Sequence, residues 1–115
     1  MRRHPLLTPS IALSLLLAAL SAAGAADAPP EIVLTIEKNR FSPEEVKVKA
    51  GAPFVLVITN KDVGPEEFES KVLRIEKVIP AGKTVKVSVR ALKAGTYDFV
   101  GEYHEKTARG RIVAE

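Results

Sequence analysis

Residues 53–59 read PFVLVIT, a near-continuous run of apolar side chains that ends at Asn60. Such a run, bounded by turn-forming residues, predicts a β-strand. A strand without alternating polar residues is typical of one that is covered on both faces. We therefore expect residues 53–59 to form a central, doubly covered strand.

Shorter segments on either side alternate apolar and polar residues with a period of two. They are IVLTI (32–36), VKV (46–48), VKVSV (85–89) and the end of KAGTYDFV (93–100), with GRIVAE (110–115) closing the chain. Alternation of this kind predicts half-exposed strands. The segment NRFSP (39–43) is expected to interrupt the first strand, because Pro43 has no N–H to donate to a ladder.

The segment from Phe68 to Ile75 changes the parity of its apolar residues. Phe68 and Ser70 share one face of an extended chain, whereas Leu73 and Ile75 have the opposite parity. A strand cannot change parity without an extra residue, so we expect a bulge or short break near Lys71 and Val72. Seven or so short strands without helical periodicity predict an all-β fold, a small antiparallel sandwich, and a generic immunoglobulin-like sandwich fits this pattern equally well.

The first 26 residues have the layout of a secretory signal peptide. Arg2 and Arg3 precede an apolar stretch, residues 11–20, and Ala23-Gly24-Ala25 fits a cleavage site. The competing interpretation is a membrane anchor, but the apolar stretch is shorter than the roughly 20 residues of a spanning helix. We expect cleavage after residue 26, a single domain over residues 27–115, and a periplasmic protein that is not embedded in the membrane.

Composition excludes several classes of function. The chain has no cysteine, which excludes disulfides, thiolate metal sites and iron–sulfur clusters. Removal of Arg2 and Arg3 leaves 15 basic and 14 acidic residues, a net charge of +1 instead of +3. The charges are interspersed and no basic block is present, so nucleic acid is not an expected partner.

His104 is the only histidine after His4, and it lies in the segment GEYHEKTARG (101–110) between Glu102 and Glu105. Taken alone, it fits a metal ligand or a solvated loop residue. No serine has a histidine near it in sequence, and no phosphate-binding glycine loop is present, so we predict no catalytic residues.

The order of these segments resembles that of the cupredoxins. The segments concerned are FSP (41–43), VKAG (48–51), NKDVGPEEF (60–68), AGTYDF (94–99), His104 and GRIV (110–113). The resemblance covers about residues 30–115 and implies a cupredoxin-like Greek-key β-sandwich of about seven short strands. Blue-copper members of the family bind the metal with two histidines, a cysteine and usually a methionine.

Only one of these four copper ligands is present in this chain. Glu66 stands at the position of the first histidine, Gly101 at that of the cysteine and Ala108 at about that of the methionine, while His104 is retained. Since a blue-copper centre requires the thiolate, the resemblance excludes a blue-copper electron carrier.

The segments EEFES (66–70), LRIEK (73–77) and FVGEYH (99–104) resemble one branch of the family, the EfeO-type cupredoxin-like domains of bacterial periplasmic iron-uptake systems. The resemblance implies a free-standing member that binds or oxidises iron, with copper as a second candidate ion. It also implies delivery of the metal to a membrane iron permease and association with other periplasmic components of that system. If the protein is an enzyme, its reaction is metal-dependent oxidation of ferrous iron.

The metal ligands that this resemblance implies are Glu66, Glu69, Glu102 and His104. Carboxylates suit iron, manganese or calcium, and an imidazole adds affinity for first-row transition metals. If Phe68 points into the core, strand alternation places Glu66 beside it, between the sheets, and turns Glu67 and Glu69 toward solvent or a more superficial second site.

Less specific interpretations stay open. The glutamates of residues 66–69 also fit a solvated edge, and Arg74 with Glu76 fits a surface ion pair on one strand. The alternative function is a metal-free β-sandwich interaction module whose acidic loops dock on a periplasmic transport complex.

Overall fold

The computed structural model describes residues 2–5 and 28–115. Apart from residues 2–5, the predicted signal peptide lies outside the described residues. Nine strands are present in the described part: β1 (Glu31–Glu37), β2 (Arg40–Ser42), β3 (Glu45–Val48), β4 (Phe54–Asn60), β5 (Glu66–Ser70), β6 (Ile75–Ile79), β7 (Thr84–Val89), β8 (Gly95–Gly101) and β9 (Arg109–Ala114). A single 3₁₀ turn, Glu102–His104, follows β8. None of the described helical segments is long and apolar enough to cross a membrane.

The strands form two sheets with the orders β2-β1-β4-β7 and β3-β9-β8-β5-β6. Most neighbouring strands are antiparallel, but β1 with β4 and β3 with β9 are parallel. The expectation of a purely antiparallel sandwich is therefore wrong at these two pairs. The reason is that the chain crosses to the second sheet at β3 before it returns to the first. When it returns at β4, it therefore runs parallel to β1.

β4 is central in its sheet, between β1 and β7, as the apolar run predicts. Its inner face is fully buried through Phe54, Leu56 and Ile58, whereas Val55 and Val57 on the other face are only half-buried. The expected double coverage is therefore wrong, because among residues 28–115 no layer lies above the outer face of this sheet. A run of β-branched residues does not distinguish a doubly covered strand from a singly covered one, because such residues suit a half-buried sheet surface as well as a core.

Two local predictions had different outcomes. The break near Lys71 is confirmed, because a turn over residues 71–74 separates β5 from β6 and buries Leu73. The first strand ends at Glu37, as the predicted interruption at residues 39–43 requires, but those residues also contain the short strand β2, which pairs with β1 and buries Phe41. Pro43 lies just beyond β2, so its missing N–H removes no bond from that ladder.

The core between the sheets contains three aromatic rings that contact one another. The ring centroids of Phe41 and Phe99 are 5.0 Å apart in an edge-on arrangement, and those of Phe68 and Phe99 are 4.9 Å apart. Phe68 and Phe99 lie on neighbouring strands, β5 and β8, so the rings hold together the strands that lead to one end of the sandwich. We call this end, formed by residues 38–39, 60–67 and 101–108, the pole.

Candidate metal centre

Glu66 is the first residue of β5 and shares the inward face of that strand with Phe68, as the alternation predicts. Both side chains are buried, and Glu66 as a whole is only 1% exposed. An ionised carboxylate at this depth requires compensation by hydrogen bonds or by an opposite charge. The partners of the Glu66 carboxylate therefore decide whether its ionised form is stable in this position.

The Glu66 carboxylate has three hydrogen-bonding partners. Oε1 accepts the amide N–H groups of Glu67 and Tyr103, each at 3.0 Å. Oε2 lies 2.5 Å from Nδ1 of His104, whose side chain is 37% exposed. The structure thus brings together two of the predicted site residues, Glu66 and His104, in a short carboxylate–imidazole contact. The amide bonds also tie β5 to the 3₁₀ turn.

The remaining two copper-ligand positions of the resemblance lie next to this contact. A Cβ atom placed on Gly101 would be 2.6 Å from Cβ of Ala108 and 2.7 Å from Cδ of Glu66. The Gly101 amide also donates to the carbonyl of Ala108 at 2.8 Å. The space next to Gly101 is therefore filled by the Glu66 carboxylate and Ala108, so the residues present do not fit a blue-copper centre.

A second group of side chains lies on the other face of β5. Oxygen atoms from Glu67, Glu69, Glu76 and Glu102, one from each carboxylate, all lie within 4.8 Å of one another. We call these four residues the acidic cluster. It forms because Glu76 of β6 is directly opposite Glu69 of β5, and because the 3₁₀ turn brings Glu102 next to β5.

Glu69 is the most buried member of the acidic cluster, with only 6% of its surface exposed. Its carboxylate forms no ion pair with any other described residue, and the protonated form of Glu102 can donate a hydrogen bond to it. No buried side-chain oxygen of the described residues lacks a partner, so the carboxylate oxygens of Glu69 reach solvent. The acidic cluster therefore contains a carboxylate on a mostly buried residue that faces three others without an ion pair.

The electrostatics of the cluster are seen at Glu102. Its pKa is raised from 4.5 to about 7, because its protonated form can donate hydrogen bonds to Glu67 and to Glu69 and because burial and their negative charges disfavour ionisation. Partial burial, followed by the charge of Glu67, also raises the pKa of the Tyr103 phenol. The acidic cluster is thus a region of negative potential that disfavours ionisation of its own carboxyl groups.

The four predicted site residues are divided between two groups. Glu66 and His104 form the inner contact, whereas Glu69 and Glu102 belong to the acidic cluster. Within the described residues, the acidic cluster is the one group of three or more potential metal ligands, so Glu102 does not complete a three-residue site with Glu66 and His104. The reason is the 3₁₀ turn, which directs Glu102 outward and His104 inward.

Sequence reasoning assigned Glu76 to a surface ion pair with Arg74. Arg74 lies instead in the turn before β6, with a φ of 56°, and the ion pairs of the described residues do not include an Arg74–Glu76 pair. The position of Glu76 beside Glu69 depends on the register of β5 against β6. That register is set by the type and length of the turn over residues 71–74, which the parity change near Lys71 did not specify.

Comparison with known families gives a match over most of the chain. A family model described as the cupredoxin-like domain matches residues 10–114. An uncharacterised protein of Rickettsia prowazekii (strain Madrid E) is 35% identical over 83 residues, which are 72% of this chain and 66% of that protein. The match therefore spans slightly less than two thirds of the relative's length.

Solved structures show the same fold. Auracyanin A, a "blue" copper protein of Chloroflexus aurantiacus, is 17% identical with a TM-score of 0.64, covering 76% of this chain and all of that one. The metal-binding domain of the Cu(I)-exporting P-type ATPase CopA from Streptococcus pneumoniae D39 is 15% identical with a TM-score of 0.66, covering 74% and 84%. Amicyanin from Paracoccus versutus is 26% identical with a TM-score of 0.59, covering 79% and 88%.

These neighbours confirm the predicted all-β, cupredoxin-like sandwich. The inner contact lies where β5 begins and β8 ends, with the acidic cluster beside it, on a fold that the matched structures share. Together with the family match over residues 10–114, this architecture shows that the chain belongs to the cupredoxin-like domain family.

Proposed function

We propose that this protein is a periplasmic metal-binding protein of the EfeO type, which binds iron as cargo at the acidic cluster and delivers it to a membrane iron permease. The observation that carries the proposal is the convergence of four carboxylates within 4.8 Å, one from each of Glu67, Glu69, Glu76 and Glu102. Two of these four residues, Glu69 and Glu102, are ligands that the sequence resemblance implies.

The energetics of the acidic cluster favour a cation. Carboxylates this close repel one another, and Glu69 forms no ion pair with any other described residue. The raised pKa of Glu102 is one response to this repulsion, because a proton there removes a negative charge. A bound cation would compensate the same charges more completely and would add direct coordination.

The chemistry of the donors supports a hard cation. All four side chains offer oxygen, the ligand that suits iron, manganese, magnesium and calcium, and the cluster contains no thiolate or thioether that would select copper. The matched auracyanin and CopA structures are copper proteins by their descriptions, which supports metal binding as a use of this fold. Iron as the cargo, the permease partner and the periplasmic location rest on the EfeO-type sequence resemblance.

Calorimetry tests the proposal with three metals on the purified protein. Ferrous iron, kept anaerobic, and Mn²⁺ are expected to bind near one equivalent, and Glu69→Gln or Glu102→Gln is expected to weaken that binding by at least tenfold. Cu²⁺ serves as a comparison, because it binds tightly to most nitrogen and oxygen sites and its binding alone is not informative. Glu31→Gln is the matched control, since Glu31 is a carboxylate in an exposed ion pair with Lys86 on the other sheet.

Two results would contradict the proposal. If wild-type protein bound neither iron nor Mn²⁺, the metal-free interaction module would become the better account of the acidic loops. If the control variant lost as much affinity as Glu69→Gln, the binding would reflect general negative charge instead of a site.

A further inference from the structure

The Glu66 carboxylate contacts two of the three elements that carry the acidic cluster, β5 and the 3₁₀ turn. Its Oε1 accepts an amide N–H from Glu67 in β5 and another from Tyr103 in the 3₁₀ turn. Glu67 and Glu69 lie on β5, and Glu102 lies on the turn, immediately before Tyr103. One buried side chain thus joins the two sides of the acidic cluster.

The acceptor positions of Glu66 are occupied by protein groups. Besides the two amides at Oε1, Nδ1 of His104 lies 2.5 Å from Oε2. Gly101 and Ala108 close the space on one side of the carboxylate. A metal ion at this inner position would have to displace a short contact from a residue that is 1% exposed, which opposes coordination by Glu66.

The same contact determines which nitrogen of His104 is free. An ionised carboxylate can only accept hydrogen bonds, so Nδ1 of His104 carries the proton. Nε2 has no hydrogen bond to any described residue, and none of the buried side-chain nitrogens in the described part lacks a partner, so Nε2 reaches solvent. A carboxylate that binds one ring nitrogen fixes the tautomer and orientation of a histidine in this way.

We propose that Glu66 is a positioning residue instead of a metal ligand. Glu66 and His104 stand at the positions that the cupredoxin resemblance gives to the two histidine ligands, and their contact holds the 3₁₀ turn against β5. Glu102 is thereby kept beside Glu67 and Glu69, and the metal site moves from the inner position to the acidic cluster. This inference rests on the proposed function, whose cluster is supported separately by the convergence of its four carboxylates.

The test combines a metal-free signature with a binding measurement. In wild-type protein, long-range ¹H–¹⁵N spectra of the histidine ring are expected to show His104 with a protonated Nδ1 and an unprotonated Nε2. Glu66→Gln is expected to invert this tautomer, since a glutamine amide can donate to Nδ1. The same variant is expected to reduce Mn²⁺ affinity by about 10- to 100-fold, the usual effect of removing a group that orients ligands.

Three further proteins complete the comparison. His104→Ala removes the other half of the pair and keeps the amide bonds of Glu66, so a moderate loss of Mn²⁺ affinity is expected even if Glu66→Gln folds poorly. Glu69→Gln is expected to lose Mn²⁺ affinity while His104 keeps its tautomer. Glu31→Gln is expected to leave both readouts unchanged.

Saturation with Zn²⁺, a diamagnetic probe, distinguishes a positioning role from coordination. Persistence of the Nδ1–H signal of His104 is expected, because the pair stays intact when metal occupies the acidic cluster. Loss of that signal on Zn²⁺ binding would make Glu66 and His104 ligands and would overturn the inference, as would equal Mn²⁺ affinity in wild type and Glu66→Gln. Failure of the wild type itself to bind metal would instead contradict the proposed function, on which the positioning role depends.

Discussion

Glu66 is surrounded by hydrogen-bond donors, whereas Glu102 lies among other carboxylates. Glu66 is stabilised as an anion in the interior by two amide groups and an imidazole. Glu102 is exposed, and hydrogen bonds from its protonated form to Glu67 and Glu69, together with their negative charges, raise its pKa to about 7. Two identical side chains at the pole therefore have different roles, one structural and one suited to binding a proton or a cation.

Gly101 is a position where one added methyl group has a clear consequence. We expect Gly101→Ala to lower the free energy of unfolding by about 1–3 kcal/mol, the usual cost of overpacking, because its Cβ would be 2.6 Å from Ala108 and 2.7 Å from Glu66. Urea denaturation measures the change. Gly64→Ala is the control: no atom lies within 4 Å of its added Cβ, so equal losses in the two variants would contradict the crowding.

The pKa of Glu102 predicts a dependence of stability on pH in the metal-free protein. Between about pH 4.5 and 7 the folded state binds more protons at Glu102 than the unfolded state does, so the free energy of unfolding decreases as the pH rises through this range. We expect Glu102→Gln to remove this part of the pH dependence. Denaturation curves of both proteins with a chelator present, at several pH values, measure it.

A difference between Glu102→Gln and wild type that does not grow from pH 4.5 to pH 7 would contradict this assignment. The pH dependence of metal affinity has the opposite sign to that of the free energy of unfolding. It should increase with pH until Glu102 is fully ionised and then level off, because a proton and a cation compete for the same carboxylates.

The elements of the pole are connected by side chains of its loops. The two carboxylate oxygens of Asp62 accept the amide N–H groups of Lys38 and Asn39 at 2.7 and 2.9 Å, and both of these residues have positive φ values in the turn between β1 and β2. Thr107 donates from its hydroxyl to the carbonyl of Asn39 at 2.6 Å. Three loops that are distant in sequence thus hold one another at the end of the sandwich.

Substitutions of Asp62 test this connection between the loops. We expect Asp62→Ala to reduce the free energy of unfolding by roughly 1–2 kcal/mol, because two amide bonds to a charged acceptor are lost, with water replacing part of them at this exposed site. Asp62→Asn should recover part of the loss, since its amide oxygen still accepts one N–H. Thermal unfolding ranks the stability of wild type and the two variants. If Asp62→Asn were less stable than Asp62→Ala, the role of Asp62 as a hydrogen-bond acceptor would be contradicted.

The whole molecule is stabilised by a core between two sheets and contains no cysteine for a disulfide. Its buried residues include three mutually contacting phenylalanines and the inner faces of both sheets. At the pole the 3₁₀ turn after β8 has to be joined to β5. In this chain the Glu66–His104 pair makes that connection with protein groups, so the fold is expected to be stable without metal.

A metal that binds only the folded state should nevertheless raise the melting temperature. At a free Mn²⁺ concentration of 100 times the dissociation constant, the stabilisation is about 2.7 kcal/mol. We expect the increase to disappear with a chelator and to be absent in Glu69→Gln. A metal-free wild type that was unfolded at room temperature would contradict the structural role of the inner pair.

The sequence by itself determined the class of fold and several orientations. Period-two alternation and turn residues predicted the strands, because side chains on a strand point to opposite faces. They also placed Glu66 beside Phe68 on the inward face. The parity change at Lys71 predicted the turn between β5 and β6, and the absence of a cysteine excluded a thiolate-bound copper.

Only the tertiary structure decided how the acidic residues are grouped. The position of Glu76 opposite Glu69 depends on the hairpin register, which the turn over residues 71–74 sets. The separation of Glu102 from His104 depends on a 3₁₀ turn in a polar segment without periodicity. The contact between residues 66–76 and residues 101–104 joins segments that are distant in the chain, and so the separation of the Glu66–His104 contact from the acidic cluster appears only once the sheets are assembled.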